Sequence, residues 1–475
     1  MSDWVPLAKR DKLSIPRMLA MSAGAFFNSV NWNLIFQLST PIMTKIGITG
    51  TANQCVFLAG IVEVFFIQPI FSAFSDQCTF KWGRRRIYIV VSAAFCVVGM
   101  LVVAFADKIG LKLGGEKGAK GATTGIFIVF ILFWYAGASV YGGPMRAIVS
   151  DNCPDSQQVW MSNMYAIVGS ITGITTSLLG TFEVYKYIGF NDNETFLLVF
   201  GIVFGAVFVM VTCIATPEEP LLEKPPDAKN PILELVQTVK TIPKPALIAD
   251  IFFVMNSAMN YEKGGWESDF FGRFIYKGYN YTDDDVKKDT SGKKGELKDK
   301  YQEGMSFLFT VNLANSLVCF AYNWVNTFVV NKLGFKLSLF IGSIMYSVGL
   351  ILVMFITQKY VCMLIWIVLF GLSGCIAGSV PGAIVSLSVT SSTLGSHLAI
   401  LNSFNVIGQI FANVIVGLGL GNLWDFQPKF MIGSGCVGGV AAIIMSWFII
   451  IPSREIENSE NDDIESSDSD HPNSL

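Results

Sequence analysis

Apolar residues in this chain come in long unbroken runs, not in the short stripes of a water-soluble domain. Counted along the sequence, the runs near ~20 residues, the length a helix needs to cross the hydrocarbon of a bilayer, fall at 18–45, 53–74, 87–106, 124–149, 159–180 and 196–215. After a break they resume at 246–261, 304–330, 337–356, 361–387, 396–420 and 430–451. Only closed hydrogen bonding lets a backbone sit in lipid, so the pattern predicts an all-α membrane protein of twelve transmembrane helices. The break at 216–245 holds Pro217, Pro220, Pro225, Pro226, Pro231, Pro243 and Pro245 among charges, which reads as a cytoplasmic linker between two six-helix bundles, 18–215 and 246–452. A short cytoplasmic segment, 1–17, precedes them. The acidic, serine-rich stretch 453–475 reads as a disordered cytoplasmic tail.

Composition agrees with this class. Of 475 residues, 52% are hydrophobic and 15% charged, against roughly 25% charged in ordinary soluble domains. Basic residues precede the first span (Lys9, Arg10, Lys12, Arg17), with no small-residue cleavage pattern, so the first helix is expected to act as an uncleaved anchor. Together with Arg84, Arg85, Arg86, Lys332 and Lys336 they place both termini on the cytoplasmic side. Lysines in the loops 107–120 and 277–300 oppose that reading, whereas the two N-x-[ST] sequons, at Asn193 and Asn280, fall in loops it puts outside. Nine cysteines without a C-x-x-C and two histidines, His397 and His471, give no basis for structural disulfides or a zinc site. No cofactor, metal or nucleic-acid partner is expected, and no Walker, GxSxG or HExxH motif suggests an enzyme.

The polar residues inside the runs carry the chemistry. Asn28, Asn31 and Asn33 surround Trp32, with Gln37 one turn on. Neutral amides beside an aromatic ring suit a polyhydroxyl ligand, since amides donate and accept while the ring covers an apolar sugar face. The alternative is that they bond neighbouring helices. Arg146 is a permanent charge near the end of the fourth run, beside Pro144, and is costly unless it lines a watery cavity or snorkels to the boundary near Asp151. Glu63 is a lone carboxyl in the second run. Burial favours its neutral form, as a proton carrier requires. Glu262, Glu267 and Asp269 sit toward the outer end of the seventh run, where a cavity mouth or gate salt bridges are expected.

The loop Phe74-Ser-Asp76-Gln-Cys-Thr-Phe-Lys-Trp-Gly83-Arg84-Arg85-Arg86-Ile87 joins the second and third runs. Its acid, turn, glycine and arginines allow Asp76 to pair with an arginine or cap a helix in one conformation and release it in another. This loop resembles the one between helices 2 and 3 of major facilitator transporters. Its form is most similar to sucrose transporters of the glycoside-pentoside-hexuronide cation symporter family. Other matches follow in order: Trp32, Thr40 and Pro41; Gln68-Pro69; Gly143-Pro-Met-Arg146-Ala then Asp151, like GPCRA and an acid; Asp269-Phe-Phe-Gly-Arg273-Phe-Ile-Tyr276, like DWMGREVY; Ser379-Val-Pro381; and Leu401-Asn402 with Gln409.

The resemblance implies a major facilitator fold of two halves that moves a small glycoside, a disaccharide such as sucrose or maltose, by alternating access. Substrate contacts are expected from Asn28, Asn31, Trp32, Gln68, Arg146, Asn402 and Gln409. Gating is expected from Asp76, Gly83, Arg84, Arg85, Asp151, Asp269 and Arg273. One departure bears on mechanism. Where the family has an aspartate in helix 4, regarded as its proton carrier, this chain has Tyr135, and a phenol near pKa 10 does not cycle a proton under ordinary conditions. Glu63 is then the candidate for proton coupling. Symport, an uncoupled facilitator of the same fold and a non-transporting sugar sensor all stand as readings, with the plasma membrane or an internal membrane such as the vacuolar one as location.

Overall fold

Long apolar runs fold as helices because each backbone amide finds its acceptor four residues back without help from solvent. The computed structural model describes residues 6–76, 78–154, 157–218, 237–389 and 394–450. Before the break lie α1 (Ile15–Ser22), α2 (Ala25–Ile46), α3 (Thr51–Asp76), α4 (Arg86–Ala104), α5 (Ala106–Asp151), α6 (Gln158–Thr181), α7 (Tyr185–Ile188) and α8 (Asn193–Ala215). After it come α9 (Lys244–Asp269), α10 (Asp283–Lys287), α11 (Lys293–Leu333), α12 (Phe335–Phe355), α13 (Lys359–Leu364), α14 (Leu372–Ser388), α15 (Leu394–Ala412), α16 (Pro428–Gly433) and α17 (Cys436–Ser446). Three π-helical stretches, Phe270–Ile275, Ile365–Gly371 and Asn413–Leu420, extend or join α9, α13–α14 and α15. Most of the expected linker and the whole expected tail lie outside the described residues.

Ten helices among the described residues are long and apolar enough to cross a membrane, so the protein is an all-α, multi-pass membrane protein. Ten of the twelve expected spans meet this measure. The two that fall short are α2 and α9, of 22 and 26 residues, at least ~33 Å long at 1.5 Å per residue. Length is therefore not their shortfall. They carry the polar residues, Asn28, Asn31, Asn33 and Gln37 in one, Asp250, Asn256, Asn260, Glu262, Lys263, Glu267 and Asp269 in the other, as suits helices that face the interior of the bundle more than lipid.

Two expected loops are largely helical. The 107–120 segment belongs to α5, broken at Gly115, whose φ of 60° and ψ of −172° no helix accommodates. The chain doubles back there, and a Cβ on Gly110 would lie 2.7 Å from the Thr123 backbone. In the 277–300 segment, α11 starts at Lys293, eleven residues before the apolar run, supported by a Glu296–Lys300 pair one turn apart. Hydropathy reads lipid contact, not helix, so it misses turns that emerge into water.

Glycines let helices approach within each group. A Cβ on Gly99 of α4 would come within 2.7 Å of Trp134 of α5, and one on Gly408 of α15 within 2.2 Å of the Val254 carbonyl of α9. The two groups meet at the end of the bundle that carries Asn280. There α6 packs against α11, α2 against α9, and α3 against α15. Thr40 Oγ1 donates to the Gly265 carbonyl at 2.7 Å, Asn413 Nδ2 to Gln54 Oε1 at 2.8 Å, Ser306 Oγ to Glu183 at 2.7 Å, and Asn280 Nδ2 to the Pro41 carbonyl at 3.0 Å. Both sequon asparagines are buried, Asn193 at 3% and Asn280 at 1% exposure. Asn280 is thus part of the seal between the groups.

Candidate substrate cavity and its gates

An aromatic and polar cluster lies between the groups, inward of that seal. Trp32 stacks on Phe36 (centroids 6.3 Å apart) and meets Tyr135 edge-on at 6.3 Å, while Phe36 meets Tyr261 of α9 edge-on at 6.3 Å. Tyr135 is buried against Gly60 of α3, where a Cβ would sit 2.7 Å from the ring. Glu63 is three residues from Gly60 and so on the same face of α3. One of its carboxylate oxygens is buried with no hydrogen-bonding partner among the described residues, as are the Tyr135 and Tyr261 hydroxyls and Asn28 Oδ1. Asn28 Oδ1 lies against Gly142 of α5.

The expected substrate residues divide. Asn31 is fully buried, and its amide is spent inside the protein, donating to the Phe27 carbonyl and accepting from Trp134 Nε1, each at 2.7 Å. In this conformation it positions Trp134. Asn28 and Trp32 are half-buried in the cluster. Gln68 is half-buried one turn from Ser72, whose Oγ would lie 2.3 Å from a Cβ on Gly143. Gly143 is one turn from Arg146, so Gln68 and Arg146 share the α3–α5 contact. Arg146 is exposed, with its guanidinium carbon 5.5 Å from the Tyr165 ring centre of α6. Asn402 is exposed and Gln409 half-buried on α15, across from this set.

The expected gate residues form two networks. Gly83 has φ of 125°, and a Cβ there would strike Glu218. Arg84 Nη2 donates to Asp151 at 2.7 Å and Arg85 Nε to the same oxygen at 3.2 Å, while Arg85 Nη1 donates to Ser75 at 2.8 Å. The backbone N–H groups of Arg85 and Arg86 donate to Glu218, and Arg86 to the Thr216 carbonyl. The side chain of Asp76 lies outside the described residues. Glu218 thus caps the first amides of α4 from outside the loop. Burial pushes its carboxyl pKa up, against the opposing pull of the Arg85 and Arg86 amides and the neighbouring arginines. At the opposite end, Arg273 donates to Asp269 at 2.8 Å and the Tyr301 hydroxyl to the same carboxylate at 3.2 Å.

Two functional candidates, Glu218 and Glu194, escaped the sequence. Glu218 stands in Thr-Pro-Glu-Glu-Pro after α8, and its position beside the basic loop was the available signal. Glu194 joins both groups, accepting from Asn280 and Gln302 at 3.5 Å each, beside the Lys45–Asp192 pair at 2.8 Å. Nothing in the sequence marks it apart from a charge at a helix start.

The sucrose transport protein SUC4 of Arabidopsis thaliana is 25% identical to this chain over 493 aligned positions, covering 92% of this chain and 91% of that protein. The sucrose transport protein SUT1 of Oryza sativa subsp. japonica is 30% identical over 146 positions, 29% of this chain and 27% of that one. Among solved structures, the nucleoside transporter NupG superposes with a TM-score of 0.59 at 12% identity, covering 92% of this chain and 98% of its own. A D-xylose-proton symporter superposes at 0.60 and 14%, covering 92% and 98%. Fold and family are those of a transporter and not of an enzyme. The family model described as Major Facilitator Superfamily matches residues 21–281 and 301–467, and the chain belongs to that superfamily.

Proposed function

We propose that this membrane transporter carries a small sugar or glycoside, of the sucrose or maltose kind, by alternating access between two six-helix halves of a twelve-helix bundle, as a member of the glycoside-pentoside-hexuronide symporter family. In this reading α2 and α9 are the two further spans, the Arg84 end is cytoplasmic, and the state described is sealed outside. The plasma membrane is the proposed location, with an internal membrane such as the vacuolar one as the alternative. The observation that carries the proposal is the cluster around Trp32: half-buried neutral amides, an aromatic face, and carboxyl and hydroxyl oxygens with unused hydrogen-bonding capacity, set between the halves behind the Asn280 seal. A polyhydroxyl solute offers such a site both donors and an apolar face. The full-length similarity to a plant sucrose transport protein supports the substrate class.

The same cluster supports proton coupling through Glu63. Tyr135 fills the position of the family's helix 4 acid, and Glu63 of the facing helix lies one turn from the glycine that contacts the Tyr135 ring. The acid has in effect crossed from α5 to α3 while staying beside the same site. Uptake of a labelled sugar panel into vesicles, with and without an inward proton gradient, tests both parts. Gradient-driven accumulation of a disaccharide is expected. Uptake that equilibrates but never concentrates would leave an uncoupled facilitator. No uptake of any sugar would remove the substrate class.

A further inference from the structure

One charged pair on α9 lies outside the two networks described above. Lys263 Nζ donates to Glu267 Oε2 at 3.1 Å, one turn along α9. The Glu267 side chain is only 8% exposed and is held from two further sides, by Trp366 Nε1 and by Asn312 Nδ2 of α11, each at 3.4 Å. Lys263 is 17% exposed, and its ammonium lies 5.5 and 5.6 Å from the ring centres of Trp366 and Phe370. An ion pair removed from water is costly, and often no more stable than an apolar replacement. A purely structural role is therefore a poor reason for its presence. The arrangement is asymmetric as well. The carboxylate accepts from three donors, whereas an ammonium has three N–H groups and Glu267 takes one of them.

Resting on the sugar-transport reading, we infer that Lys263, fixed by Glu267 and Asn312, is a second substrate subsite in the C-terminal half, one that donates charge-assisted hydrogen bonds to a sugar hydroxyl or ring oxygen. The ligand is neutral at this point, because Glu267 already balances the lysine charge, and an anionic substituent would meet the buried carboxylate. Lys263 touches the ligand. Glu267 and Asn312 are positioning residues. A row on one face of α11, Asn312, Asn315 and Cys319, continues the polar wall, with Asn315 accepting from the Cys319 thiol at 3.6 Å. The subsite faces α9, α11 and the α13–α14 segment, whereas Trp32, Gln68 and Arg146 belong to helices of the other half. A disaccharide spans two such points better than a single hexose does.

The test uses the full-length protein in vesicles, with sucrose, maltose and their monodeoxy analogues as probes. Removing either charge alone leaves the other buried and unpaired, which risks misfolding, so Lys263→Met/Glu267→Gln is the informative variant. Loss of a charge-assisted hydrogen bond is expected to raise the half-saturation concentration of the transported disaccharide about tenfold. It is also expected to abolish discrimination against one deoxy analogue while other analogues keep theirs. A structural role would lower transport of all probes alike and leave their ratios unchanged, and that result would overturn the inference. So would half-saturation within about twofold of wild type for every probe. If the wild-type protein moves none of these sugars, the sugar reading itself fails and takes the subsite with it. Wild-type transport with unaltered ratios in the double variant refutes the subsite alone.

Discussion

Replacing Gly180 by alanine tests the seal at the Asn280 end. Gly180 lies in the last turn of α6, and its Cα faces the buried ring of Phe309 on α11, across the boundary between the halves. An added methyl would fall 2.3, 2.5 and 2.6 Å from three ring atoms, whereas carbon atoms settle at ~3.5–4.0 Å. The halves must therefore part by about 1 Å here or the ring must leave its packing, and overpacking of this kind costs about 1–3 kcal/mol. The cost falls on the state in which these surfaces touch. In the proposed alternating-access cycle it is released when the ends that carry Asn280 separate, so the balance between the two states is expected to move about 5- to 150-fold toward the one open at that end. Spin labels at the exposed positions Tyr187 and Glu296, in a chain whose native cysteines are replaced, would report this as a longer distance between the outer ends. An unchanged distance distribution with unchanged transport would refute the reasoning that Gly180–Phe309 is a contact between moving parts.

Arg146→Lys is expected to lose most sugar transport at normal surface expression, because an ammonium cannot reproduce the planar fork of donors; near-wild-type uptake would assign Arg146 a structural charge only. Glu63→Gln is expected to keep sugar exchange and lose accumulation driven by a pH gradient, since the amide imitates the protonated acid; parallel loss of both, or of neither, would exclude Glu63 as carrier. Asp151→Asn removes the charge that holds Arg84 and Arg85 and is expected to slow turnover more than it weakens substrate affinity, measured by initial uptake rates against concentration; equal effects on both would separate this network from gating. Because Asn280 is buried in the seal, glycosidase treatment is expected to leave its sequon peptide unshifted by mass spectrometry, and a glycan found there would contradict the described packing.

Most of the helices were legible in the sequence because lipid leaves only one solution for an apolar run. Their ends were not. The charged turns that open α11 and the doubled-back start of α5 stand in water, where hydropathy carries no signal and local pairs such as Glu296–Lys300 decide. The polar positions were legible as exceptions, but not their partners. Asn28 and Asn31 look alike in sequence, three residues apart, yet Asn31 meets the indole of Trp134 and is consumed while Asn28 Oδ1 finds no partner among the described residues. An amide's role depends on what a helix a hundred residues away presents to it. The basic loop contains Asp76, whose side chain lies outside the described residues. Glu218, which accepts from the Arg85 amide, comes from the end of α8, 133 residues along the chain. No spacing within the loop announces it.

Proton-linked disaccharide transport is tested most directly by counterflow of a labelled disaccharide by the purified protein in liposomes preloaded with the unlabelled sugar. Saturable, transient accumulation of label is expected, enhanced into lasting accumulation when an inward proton gradient is imposed, and absent in Arg146→Lys. Label that never rises above equilibrium for any disaccharide, under either condition, would contradict it.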